Sequence, residues 1–304
     1  MWPNTRSLWR RKLLPVFLAI GAAALYATAQ SATRRAVERS QPTAVVLGTL
    51  SVSFIAMSAT RLVAPPDGAR IGATTVAVLI AAGIVAPGLG RLANAAALAG
   101  AGPLGTSSVQ FVVRPLIGLA GGLVLFDEKL TGSRAAGIGL MLTGVILLVR
   151  SSRQEGSSTA SSTVHKGLWI AAAAGCVYAV SEILRKAAIS NTDPITATWI
   201  TTAAALAFVV VGFALFPKLR PDLSGLPWMW IVGAGLASAA AQALVFGALE
   251  VGDISLVSPV LAMQPLFVMG IAPLLRATGP IQVAAMWKTG ILVTAGAILM
   301  AISS

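Results

Sequence analysis

Two proline steps inside apolar runs are where this chain could place chemistry. Arg114 precedes Pro115, and Gln264 precedes Pro265. An ionisable group within a bilayer is costly unless it faces a bundle interior or water. Arg114 sits roughly 15 Å from either end of its run, at about 1.5 Å per helical residue. Proline removes one helical N–H and frees the carbonyl four residues earlier, Phe111 in one run and Leu261 in the other. Polar side chains beside freed carbonyls can bind a polar solute. For Arg114, a structural pairing with such a carbonyl or with a carboxylate stays open beside a binding role.

Three further residues join this set. Glu182 falls in an apolar run at the position equivalent to Gln30. It can pair with Arg114, titrate, or serve as a helix-end residue with Arg185 one turn away. Arg91 shares a helix face with Asn94 and either enters a cavity or snorkels to the surface. Tyr178 and Tyr26 are repeat-related aromatics that line a cavity or fill a bundle. Gln110 and Gln242 are weaker candidates of the same kind. His165 reads as a solvated loop residue, Glu128 as a turn residue and Lys288, beside Trp287, as an interfacial anchor. Gly118 and Gly122 form a small-residue step for close helix packing.

The elements that position these residues follow from composition. The apolar fraction is 56%, charged residues are 11%, and mean hydropathy is +0.84. Soluble domains carry about 25% charged residues, so this surface needs lipid as its solvent. The net charge of +12 sits mainly between apolar runs. There it meets anionic headgroups, and nucleic acid is not an expected partner. The single cysteine, Cys176, excludes an intrachain disulfide and reads as a small buried packing residue. No P-loop, metal-ligand spacing or Ser/His/Asp set is present. Neither an enzyme nor a cofactor is therefore expected.

Spanning a bilayer takes about 20 apolar residues in a helix. Ten runs qualify: 13–33, 43–63, 74–98, 104–126, 133–150, 167–186, 195–215, 227–249, 254–275 and 283–302. Residues 1–12 form an N-terminal tail and 151–166 a polar linker. Ala27-Thr28-Ala29 resembles a signal-peptidase site. The segment nonetheless aligns with an internal one and is expected to be retained. Tyr26 and Pro42 recur as Tyr178 and Pro194, and Gly102 recurs as Gly252. The chain is thus a repeat, 13–150 and 167–304. Five helices per copy invert the second copy relative to the first. The fold class expected is all-α integral membrane, with ten transmembrane helices as two inverted five-helix repeats. Lys and Arg are nearly balanced between alternate connections. The cluster Arg6, Arg10, Arg11 and Lys12 places both termini in the cytoplasm.

Four patterns resemble the drug/metabolite transporter superfamily, in particular its EamA-type ten-helix members. They are Arg114-Pro115-Leu116-Ile117 with Gln264-Pro265-Leu266-Phe267; the glycine turn in Gly247-Ala248-Leu249-Glu250-Val251-Gly252-Asp253; Leu125-Phe126-Asp127-Glu128-Lys129-Leu130; and glycine-bearing final helices at Gly137 to Gly144 and Gly290 to Gly296. The resemblance covers about residues 13 to 302. Arg276-Ala277-Thr278-Gly279-Pro280 departs from it where an acidic turn is usual. The resemblance implies proton-coupled or facilitated movement of small metabolites, often outward.

The expectation is a secondary transporter, as an exporter, of a small polar or amphipathic metabolite in a bacterial inner membrane. Its cavity would be lined by Arg114, Gln264, Glu182, Arg91 and Tyr178. The excess of arginine suggests a carboxylate or phosphate on the substrate, met by Arg114. Expected partners are a small-molecule substrate and membrane lipid, with protons as candidate coupling ion and a homodimer as candidate assembly. The competing reading is a non-transporting membrane component that handles lipid or assists assembly.

Overall fold

The computed structural model describes residues 13–63, 71–126, 158–217, 220–261 and 263–277, with isolated positions in 132–147 and 291–299. Among the described residues it is all-helical, with no strand. In chain order the helices are α1 Leu14–Val37, α2 Pro42–Val63, α3 Ala73–Gly83, α4 Gly90–Leu125, α5 Ser158–Ile189, α6 Pro194–Leu215, α7 Trp228–Val251, α8 Ile254–Leu261 and α9 Gln264–Leu274. Seven described stretches are long and apolar enough to cross a membrane. The expected spans 133–150 and 283–302 lie largely outside the described residues, as do the tail 1–12, Glu128 and Lys288.

Helix boundaries follow local chemistry. Asp193 caps α6: its Oδ1 accepts from the Thr196 N–H at 2.9 Å, and Pro194 occupies the first turn, where no N–H is needed. Asp193→Ala is expected to destabilise the protein by about 0.5–2 kcal/mol, read from unfolding in detergent. The third and fourth expected spans are joined by a sharp break within α4. Gly102 takes φ 70° and ψ 172°, which only glycine adopts without strain. The membrane-length stretches on either side are Ala73–Pro103 and Gly105–Leu125.

Three sequence readings change. Within the single span expected over 254–275 the described helices are α8, Ile254–Leu261, and α9, Gln264–Leu274, with a turn at Met263. Pro265 cannot donate to a continuing ladder and instead occupies the first turn of a new helix. His165 lies within α5, which begins at Ser158, ahead of the span expected from 167. Cys176 is exposed, on the outward stripe of α5 that also carries Trp169 and Val180. Seven and four residues separate these positions, so helical periodicity turns all three away from the bundle.

The two halves interlock. α1 packs most extensively on α7, and α4 on α5, so the first helix of each half seats on the later helices of the other. The main core gathers Ala19, Leu79, Phe246, Leu249, Val257 and Leu261. Within each half, repeat-equivalent cations tie the first helix to a later one. Arg34 donates to the Leu98 and Ala99 carbonyls of α4 at 2.7 and 3.0 Å. Lys186 donates to the Leu249 and Gly252 carbonyls at the end of α7, at 2.8 and 2.6 Å. Each satisfies carbonyls left over where a helix ends.

Candidate functional site

Between α3 and α4 the backbone departs from the regular helix. Residues Ile84–Leu89 form a wide π-type turn containing Pro87, and Ala86 is extended at φ −154° and ψ 114°. This leaves the Ala86 carbonyl without a helical partner. α5 supplies two donors to it: Ser181 Oγ at 2.8 Å and Arg185 Nη2 at 2.7 Å. A second Arg185 contact, at 3.3 Å, reaches Gln242 Oε1 on α7, and its guanidinium lies 5.1 Å from the Phe246 ring. One turn beyond the break, Arg91 donates to Ser238 Oγ on α7 at 2.9 Å and to Ser53 Oγ on α2 at 3.3 Å.

Arg114 projects from the arm of α4 that follows Gly102 and pairs with Glu182 of α5. Its guanidinium lies between two rings, 6.0 Å from Tyr26 and 5.1 Å from Tyr178. Ser258 Oγ donates to the other carboxylate oxygen of Glu182 at 3.2 Å. Gly118 admits Ser258 there, since a Cβ on Gly118 would lie 2.9 Å from that hydroxyl. Both carboxylate oxygens are thus engaged, which offsets the cost of burying the ion.

A repeat-equivalent pair stands opposite. Gln264 Nε2 donates to Gln30 Oε1 at 2.7 Å. Gln264 corresponds to Arg114 and Gln30 to Glu182, so an ion pair in one copy is an amide pair in the other. The amide pair continues into a network, because Gln30 Nε2 donates to Asn94 Oδ1 at 3.3 Å and Gln110 Nε2 to the same oxygen at 2.8 Å.

These groups surround one cavity. It contains about 640 Å³ of space between atoms, part of it open to solvent. The first half contributes Tyr26, Gln30, Arg91, Asn94, Gln110 and Arg114 to its wall, and the second half contributes Tyr178, Arg185, Ser238, Gln242 and Gln264. A polar cavity within an apolar helical bundle can hold and release a polar solute.

A family model of EamA-like transporters matches residues 13–150 and again 165–302. The chain belongs to the EamA-like transporter family. It is accordingly an integral, multi-pass membrane protein of a transporter family. A solved structure described only as the crystal structure of a protein matches with a TM-score of 0.70 at 20% identity, covering 95% of this chain and 99% of that one. At that identity the likeness concerns the fold alone. A comparison with curated proteins finds no match.

Four of the five residues expected at the site of this EamA-like protein line the cavity: Arg114, Gln264, Arg91 and Tyr178. Glu182 lies behind the wall, joined to it through Arg114. Of the two placements open for Arg91, the structure has the inward one, with 8% of its surface exposed. Arg185 is the residue that sequence reasoning missed. Within its own helix it reads as a neighbour of Glu182, whereas it reaches across to α7 and to the break at Ala86. Pro87, inside an otherwise apolar run, was the available signal, because the residue before a proline is pushed toward extended backbone and Ala86 adopts it.

Proposed function

We propose that this protein is a secondary transporter that moves a small polar or amphipathic metabolite by alternating access around the central cavity. The observation that carries this reading is the cavity wall, to which both repeats contribute polar side chains that apolar packing would not require. Two inverted five-helix copies can exchange roles, opening the cavity first to one side and then to the other. The crossed pairs, Arg114 with Glu182 and Gln264 with Gln30, are repeat-related contacts that such an exchange can make and break. Outward movement across a bacterial inner membrane, with both termini cytoplasmic, completes the proposal.

Flux from proteoliposomes tests it. The identified substrate is expected to cross in the wild-type protein and to be lost from Arg114→Ala. Undiminished transport by that variant would remove Arg114 from the site. Protons are the candidate coupling ion through Glu182. Glu182→Gln is then expected to uncouple flux from a pH gradient, and equal sensitivity to the gradient would dismiss that role.

The competing reading, a non-transporting component that handles lipid or assists assembly, predicts a folded protein with no solute flux that copurifies with another chain. The polar pairs at the centre of the bundle disfavour it, since packing alone is served by Leu or Ala.

A further inference from the structure

We propose that the cargo is an anion whose carboxylate or phosphate oxygens are taken jointly by Arg91 and Arg185. This rests on reading the cavity as a transport site. The buried charged residues of the described structure are Arg91, Arg114, Arg185 and Glu182, with exposures of 8, 5, 4 and 2%. Three cations face one carboxylate, a surplus of two positive charges. Glu182 is committed to Arg114, so that pair is internally balanced. Among the described residues no carboxylate pairs with Arg91 or Arg185.

The partners of these two arginines are neutral: serine hydroxyls for Arg91, a backbone carbonyl and an amide oxygen for Arg185. Neutral acceptors orient a guanidinium but do not cancel its charge, and a buried unbalanced charge is costly. The Arg185 Nε is buried with no hydrogen-bond partner, leaving a donor to spare. An arriving oxyanion supplies both the missing charge and the missing acceptor.

The geometry places the two cations together. Arg91 is held by Ser238 and Arg185 by Gln242, positions one turn apart on α7. One turn rises about 5.4 Å, within the span that two guanidiniums can share across a single carboxylate or phosphate. Gln242 Nε2 in turn donates to the Ser238 carbonyl at 3.4 Å, tying both supports to the same face. A cationic cargo would add charge to a wall already positive and would meet no free carboxylate among the described residues.

The test uses the full-length protein in proteoliposomes loaded with a small-molecule extract of the cells that make it. Efflux is read by mass spectrometry against protein-free vesicles. Solutes lost only in the presence of protein are expected to carry a carboxylate or phosphate. Arg91→Gln and Arg185→Gln are each expected to lower their subsaturating flux about 10- to 100-fold, the loss of one charge-assisted contact. Arg91→Lys, which keeps the charge, is expected to retain more. Release of neutral or cationic solutes alone overturns the anion proposal and leaves the transporter reading standing. Release of no solute overturns both. An anionic cargo whose flux is unchanged in folded Arg91→Gln and Arg185→Gln overturns the assignment to this pair. If those variants do not fold, the charge of the wild-type cargo decides.

Discussion

Replacing Arg114 with Gln is expected to destabilise the protein by about 3–5 kcal/mol, measured by unfolding in mixed micelles. The reason is the group left behind. Glu182 is 2% exposed and would keep one hydrogen bond, from Ser258, while losing its only described cation. Glu182→Gln is expected to cost a similar amount by removing the counter-charge of buried Arg114, with Tyr26 and Tyr178 compensating in part through their ring faces. The double variant, Arg114→Gln with Glu182→Gln, is expected to recover most of the loss. It would carry at this position the same glutamine pair that the chain already has at Gln264 and Gln30. Costs that simply add in the double variant would show that the two residues are not a unit. Because the double variant should fold, its flux separates what the pair does for stability from what it does for transport.

Gly83→Leu is expected to cost about 3 kcal/mol, the upper end of overpacking penalties. Gly83 closes α3 just before the wide turn and lies against α6. A Cβ there would meet the Thr201 carbonyl oxygen, and the Thr201 Cα at 2.9 Å. Both are backbone atoms of a regular helix, so no rotamer change relieves the clash. Gly212, also in the interior of a helix, has nothing within 4 Å of its Cβ position. Gly212→Ala is therefore expected to stabilise by about 0.5–1 kcal/mol through reduced backbone entropy alone. The two substitutions should move the unfolding midpoint in opposite directions. Equal effects would mean that α3 and α6 are not in the close contact described.

What the sequence disclosed depended on whether the determining interaction was local. Apolar runs of bilayer length announced α1, α2, α6 and α7 because their signal is summed over some twenty residues. The start of α6 falls within one residue of the expected span 195–215, and its cap, Asp193, is adjacent to the helix it begins. The break before Gln264 was harder. Arg114-Pro115 and Gln264-Pro265 look alike, yet the first continues a helix and the second begins one. Arg185 was out of reach for another reason. Its acceptors, the Ala86 carbonyl and Gln242, come from α7 and from the first half, and no spacing within α5 points to them. Arg91 and Tyr178 had two readings each, and only tertiary placement chooses between them. The cavity was thus foreshadowed as a list of polar intruders, while their pairing was a property of the folded chain.

The interlock of α1 with α7 also has a bearing on biosynthesis. The helix that α1 packs on most extensively begins at Trp228, roughly 190 residues after α1 ends at Val37. At about 5–20 residues per second, the ribosome needs some 10–40 s to deliver it. During that interval α1 has only its first-half contacts, such as Gln30 with Asn94 and Arg34 with the Leu98 carbonyl, and the face that takes α7 stays uncovered. Nascent α1 must wait among lipids, other early helices or an insertion chaperone, so the late-made half completes the early one rather than joining it as a finished module.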